Sequence, residues 1–143
     1  MKKHAEQLQS LIEFFENLSE ESTKNVAHHY ATHARFVDPF NDVDGIQKIE
    51  HIFAHMFKTT QRPRFVVLSA LLDDGEAFLR WDFTFEKKGL PKNMCIHGAT
   101  RLVFDASGKV TLHRDYWDSG AELYAKLPIV GGFFRWFAKQ FRA

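Results

Sequence analysis

Residues 35–45 read RFVDPFNDVDG, and this stretch decides the architecture. Phe36 and Val37 end a short strand over 34–38. Asp38-Pro39 then marks a turn, because aspartate caps backbone amides and proline fixes φ. The polar group 41–45 reads as a loop. Gly45-Ile46 opens a helix in which Ile46, Ile49, Phe53, Met56 and Phe57 share one face. A strand is thus followed at once by an amphipathic helix, and the question is what lies on either side.

On the N-terminal side, Leu8, Leu11, Ile12, Phe15 and Leu18 recur at helical spacing and predict a first helix over 4–18. Ser19 is a candidate N-cap for a second helix, with Glu20 and Glu21 in its first turn, running to about Tyr30 or His33. On the C-terminal side the pattern changes after Pro63. Four strands are expected, at 64–72, 76–87, 93–104 and 109–118, joined by short turn-like connections and therefore antiparallel neighbours. Leu79, Trp81, Phe83 and Phe85 alternate with Arg80, Asp82, Thr84 and Glu86. Helices segregated from a meander imply an α+β domain whose curved sheet encloses a conical cavity. Residues 119–126 suit a short helix, which Leu127-Pro128 breaks. Phe133, Phe137 and Phe141 then recur every fourth residue, with Arg135, Lys139 and Arg142 on another side: a short amphipathic basic helix.

Composition narrows the function. The 143 residues fit one domain, 1–143, with a core over about 5–118 and a helical extension over 119–143. Fifteen phenylalanines exceed what a minimal core needs and suggest aromatic walls around an apolar cavity. A net charge of +1 gives no global field for nucleic acid. Cys95, the single cysteine, excludes an internal disulfide framework. The N-terminus lacks the continuous apolar run of a secretory signal, and no window suits a transmembrane helix, so the expected location is cytoplasmic. His29 and His33, and His51 and His55, are four apart, but without HExxH or a cysteine cluster they read as solvated helix histidines, and no metal site is expected.

Two segments carry a resemblance. YATHARFVDPFNDVDGIQKI, residues 30–49, is similar to the stretch of ketosteroid isomerases that holds the general base. RLVFDASGKVTLHRDYWD, residues 101–118, resembles the last hairpin of the same superfamily. With the element order, these identify the chain as a member of the NTF2-like superfamily, in its SnoaL-like and ketosteroid-isomerase-like branch. The resemblance implies a cone-shaped, cystatin-like fold and a homodimer formed through the outer sheet face. It places Asp38 on the position of the isomerase base. The isomerases stabilise the enolate with a tyrosine and a neutral aspartic acid. Here those positions fall near Phe14 and Thr100, so ordinary steroid isomerase activity is not expected.

Alternation on the last strand puts His113, Asp115 and Trp117 on one face. In the isomerases the tryptophan faces the pocket, and in SnoaL-like cyclases an aspartate on this strand is the acid/base. The resemblance therefore implies a catalytic set of Asp38, Asp115 and His113, with His97 as a further candidate donor. His97 precedes Gly98, which marks a bulge or a close approach, so parity leaves its face open. Phe14, Tyr30, Phe40, Phe53, Trp81, Phe83, Thr100 and Trp117 are the candidate ligand-binding residues, with core packing as the alternative for the aromatics. Two readings of function stand. One is a cofactor-independent isomerase, cyclase or dehydratase acting on an apolar carbonyl compound. The other is a non-catalytic domain that binds a small hydrophobic ligand. The C-terminal helix is expected to pack on the domain or its twin, with membrane contact the least favoured of its roles.

Overall fold

The computed structural model describes residues 3–143. Helix α1, Ala5–Glu16, buries Leu8, Leu11 and Phe15. A 3-10 helix, Ser22–His28, follows and buries Thr23 and Val26. Its entry is tied by a reciprocal pair: the Ser19 amide donates to Ser22 Oγ and the Ser22 amide to Ser19 Oγ. The expected second helix thus ends early. Tyr30 and His33 belong instead to strand β1, Tyr30–Val37. The alternation of β1 around Ala34 and Phe36 overrides the local helical pattern, because both residues point into the core. His29 and His33 therefore share no helix face.

The loop at 41–45 contains a three-residue strand, β2, Asp42–Asp44, antiparallel to β1. Helix α2, Ile46–Thr59, buries Ile49 and Phe53. Gly45 at its entry has φ +104°, a conformation that side chains rarely adopt. Strands β3, Gln61–Asp73, β4, Glu76–Glu86, β5, Met94–Phe104, and β6, Val110–Trp117, form the expected antiparallel meander. The sheet order is β2-β1-β6-β5-β4-β3, and β1 pairs with β6 in parallel. That parallel pair sets the end of β1 beside the inward face of β6, with Phe36 opposite His113. The curved sheet does not close, since its edges are β2 and β3.

The core fills the space between the helices and the inner sheet face. Leu11, Val26, Ala34, Ile49, Leu102 and Val110 are fully buried. Each large apolar side chain removed from water there contributes on the order of 1.5–3 kcal/mol. After β6 come α3, Ser119–Glu122, a 3-10 turn, Tyr124–Lys126, and α4, Val130–Lys139. Among the described residues, no helix is long and apolar enough to cross a membrane.

Candidate functional site

The inner face of the sheet is open toward one end of the cone, where a cavity of about 620 Å³ remains. Phe36, Ile52 and Phe53 form one wall, and Phe65, Trp81, Phe83, Phe85 and Ile96 form the other. The exposed turn Lys87–Gly89, half-buried Leu90, Thr59 and Thr60 at the end of α2, and Leu123 and Leu127 surround its mouth. The only acidic side chains on the lining are Asp38 and Asp115, among the described residues. A volume of this size with few polar groups is the usual form of a small-molecule site.

Asp115 is built into a chain of hydrogen bonds. Its Oδ1 accepts from the Thr100 hydroxyl at 2.6 Å and pairs with His113 Nε2 at 2.8 Å. Thr100 Oγ1 accepts the indole N–H of Trp81 at 2.7 Å, so its own proton goes to Asp115. On the other side, His113 Nδ1 lies 2.7 Å from the Tyr30 hydroxyl. Tyr30 is 1% exposed, and burial, then the Asp115 charge, holds its phenol well above the usual range. It remains a donor. One protonation pattern uses every proton: Tyr30 O–H donates to Nδ1, and neutral His113 donates its Nε2–H to Asp115. Among the described residues no hydrogen bond reaches Asp115 Oδ2, and the side chain keeps 18% exposure. One carboxylate oxygen is thus fixed, while the other is left without a protein partner on a residue that lines the cavity.

The expected alternation on β6 holds: His113, Asp115 and Trp117 face inward, while Arg114 and Tyr116 are exposed. His113 is stacked on Phe36 at 4.4 Å and meets the edge of Phe15 at 5.7 Å. With both ring nitrogens engaged, it reaches the cavity only through Asp115.

Asp38 resolves the choice posed by its sequence context. Its Oδ1 accepts the backbone amides of Phe40 at 2.8 Å and Asn41 at 2.7 Å. The Asn41 side-chain amide approaches both carboxylate oxygens at 3.1 Å. Asp38 therefore caps the β1–β2 turn and also lines the cavity. Phe40, 56% exposed, lies over Trp117 edge-on at 5.7 Å, and both border the cavity beside it.

Four candidates, His97, Phe14, Tyr30 and Thr100, do not line this cavity. His97 is on the outer sheet face, 2.6 Å from Asp82 and 4.0 Å from Cys95 Sγ, away from the cavity. No bulge turns it inward, because β4 and β5 stay in continuous register through Trp81–Gly98 and Asp82–His97. Gly98 is a close approach instead: a Cβ there would lie 2.3 Å from the Trp81 ring. Asp82, Cys95 and His97 place their ligand atoms within 4.8 Å of one another, and among the described residues this trio is the group that could hold a metal ion. Phe14 turns toward His29, at 4.7 Å, and does not line the cavity. Phe15, one residue on, lies on the buried face of α1, and the spacing Leu8-Leu11-Phe15 already carried that signal. Tyr30 is the buried end of the hydrogen-bond chain rather than a wall. Thr100 likewise supports Asp115 from behind. Trp81, Phe83 and Phe53 line the cavity.

A six-stranded open cone with helices on its concave side and a carboxylate set in an apolar cavity defines a class of small α+β domains. The SnoaL-like domain family matches residues 11–113, more than half of the chain. The chain belongs to that family. An NTF2-like protein of unknown function from Burkholderia pseudomallei K96243 superposes with a TM-score of 0.74 at 12% identity, covering 89% of this chain and 98% of the other. A protein with a ketosteroid isomerase-like fold from Catenulispora acidiphila DSM 44928, solved with trimethylamine, gives 0.72 at 16% identity over 87% and 95%. An LEH-like epoxide hydrolase of M. tuberculosis gives 0.67 at 13% identity over 95% and 96%. At these identities the likeness concerns the fold alone. A search of curated proteins finds no match.

Proposed function

We propose that the chain is a cofactor-independent acid–base enzyme of the isomerase, cyclase or dehydratase type, acting on an apolar carbonyl compound in the cavity. The observation that carries this reading is the asymmetry of Asp115. Oδ1 is held by Thr100 and His113, Oδ2 has no protein partner among the described residues, and Asp115 lines the cavity. A fixed carboxylate at the end of an apolar site can take a proton from carbon next to a carbonyl. The C–H pair then moves toward the carbonyl oxygen, and the proton is returned at another carbon or a leaving hydroxyl is expelled. In this reading Asp115 is the base and Asp38 the second proton-transfer group. His113 positions Asp115, with Tyr30 fixing its tautomer.

The binding-only reading keeps one specific support. Asp38 is engaged by its own turn, and no buried side-chain polar atom lacks a partner among the described residues. A network built only for stability would be satisfied in the same way.

The test uses 2-tetralone, an apolar ketone with acidic α-protons, in deuterated water. Proton NMR follows loss of the α-signal. The wild-type chain should accelerate exchange, and Asp115→Asn should lower the rate by about 10²-fold or more, the range for a positioned general base. Equal rates for the two proteins would remove Asp115 from the chemistry. Saturable tetralone binding with no accelerated exchange in the wild type would leave the binding domain standing.

A further inference from the structure

The C-terminal helix packs on the domain only in part. Of α4, only Gly131 is buried. Phe134 folds back against Gly120, but the rest of the aromatic face is left open. Phe133 is 68% exposed, Trp136 58%, Phe137 50% and Phe141 79%. Ile129, just before the helix, is 93% exposed. At 100° per residue, Val130, Phe133, Trp136 and Phe137 fall on one arc of α4, while Arg135 and Lys139 fall on the opposite one; Phe141 and Arg142 follow just beyond the helix. From Leu123 to Ala143 the chain carries Lys126, Arg135, Lys139 and Arg142 and no acid at all.

We propose that α4 is an interfacial anchor for an anionic lipid surface. An aromatic face opposite a purely basic one is the pattern of a helix lying in the headgroup region, its rings in the acyl boundary and its cations at phosphate level. Ten residues of helix reach only about 15 Å, so α4 lies in the interface and does not span it. The charge of the segment selects the kind of surface. From Leu123 on, the segment offers four cations and no acid, and an anionic surface supplies the missing sign.

The position of α4 gives the anchor a consequence. Leu123 and Leu127, which border the cavity mouth, lie directly before it, and the Gly131 amide donates to the Leu127 carbonyl at 2.9 Å. Lys87 and Lys88 stand exposed on the same rim. Docking sets the mouth beside the lipid interface, where apolar small molecules concentrate. This last step rests on the proposed function; the docking itself does not.

The experiment is co-sedimentation of the full chain with vesicles of phosphatidylcholine, alone or mixed with phosphatidylglycerol. Binding should require the anionic lipid and weaken with salt. The double substitution Lys139→Gln and Arg142→Gln should bind about 30-fold less tightly, each cation near such a surface being worth about fivefold. Phe133→Ser with Phe137→Ser should abolish binding; both side chains are exposed, so the fold, followed by near-UV circular dichroism, should persist. Equal binding to both vesicle types, or none to either, overturns the proposal. So does a wild-type dimer that Phe133→Ser with Phe137→Ser dissociates in sedimentation velocity, since a second copy would then cover the face. Tetralone binding by the same variants keeps the outcome separate from that of the cavity: lost vesicle binding with retained tetralone binding concerns α4 alone.

Discussion

Gly98→Ala provides a stringent check on the packing behind the site. A Cβ at this position would lie 2.3, 2.5 and 2.8 Å from three carbons of the Trp81 six-membered ring. Ordinary carbon contacts are about 3.5–4.0 Å, so the ring must retreat by more than an ångström. It is not free to do so. Its N–H is bonded to Thr100 at 2.7 Å, and Phe65 meets it edge-on at 5.6 Å. Overpacking a rigid site costs about 1–3 kcal/mol, and breaking the buried indole bond adds about 1–3 kcal/mol. Alanine recovers about 0.5–1 kcal/mol of strand propensity. The expected net loss is roughly 2–4 kcal/mol. In a Trp81→Phe background the offending ring edge is absent, so Gly98→Ala should cost less than about 0.5 kcal/mol there. Urea denaturation of the four proteins gives the coupling as a double-mutant cycle, expected at about 2 kcal/mol or more. A coupling below about 0.5 kcal/mol would refute the claim that Gly98 exists to admit Trp81.

Three further outcomes are expected. Tyr30→Phe keeps the buried ring but leaves His113 Nδ1 without its donor, so stability should fall by about 1–3 kcal/mol; an unchanged denaturation midpoint would mean that the hydroxyl contributes nothing to the chain. The hydrogen bond donated to Asp82, then the Asp82 charge, raises His97 above the ordinary value of 6.5, so this pair stabilises the fold fully below that value and ceases to do so as pH rises through the higher folded value. NMR titration of the His97 ring should show the elevation and Asp82→Asn should remove it; identical titrations in the two proteins would exclude the pair as its cause. Leu71 and Phe78 are cross-strand partners on the outer sheet face, 72% and 48% exposed, and a second copy docked there should make the wild type a dimer by sedimentation velocity. Leu71→Glu with Phe78→Glu should then give a monomer, whereas a monomeric wild type would rule out this pairing.

Much of the molecule follows from local pattern. The alternation Leu79-Trp81-Phe83-Phe85 fixes which face of β4 is inside, and the same period-two logic places His113, Asp115 and Trp117 together on β6. Short turns force the meander, and the spacing of Leu8, Leu11 and Phe15 fixes the buried face of α1. These are nearest-neighbour properties: side-chain direction repeats with the backbone, so periodicity reports it without knowledge of the partner. Asp38 was legible as a turn former for the same reason, since its donors lie only two and three residues away.

What the sequence left open depends on residues far apart in the chain. Whether Tyr30 is helix or strand was decided by β1 pairing with β6, a parallel contact between segments about eighty residues apart. That pairing also brings Tyr30 to His113, which no local pattern encodes. Thr100 and Asp115 meet because β5 and β6 pair them directly across the sheet, making a residue near the position of the isomerases' neutral aspartic acid a support for the carboxylate. The outward face of His97 needed the continuous β4–β5 register, because a single bulge would have reversed it. The amphipathic pattern of α4 was plain in the sequence, but its exposure was not: periodicity says that a helix has an apolar face, and only the tertiary structure says that nothing among the described residues covers it.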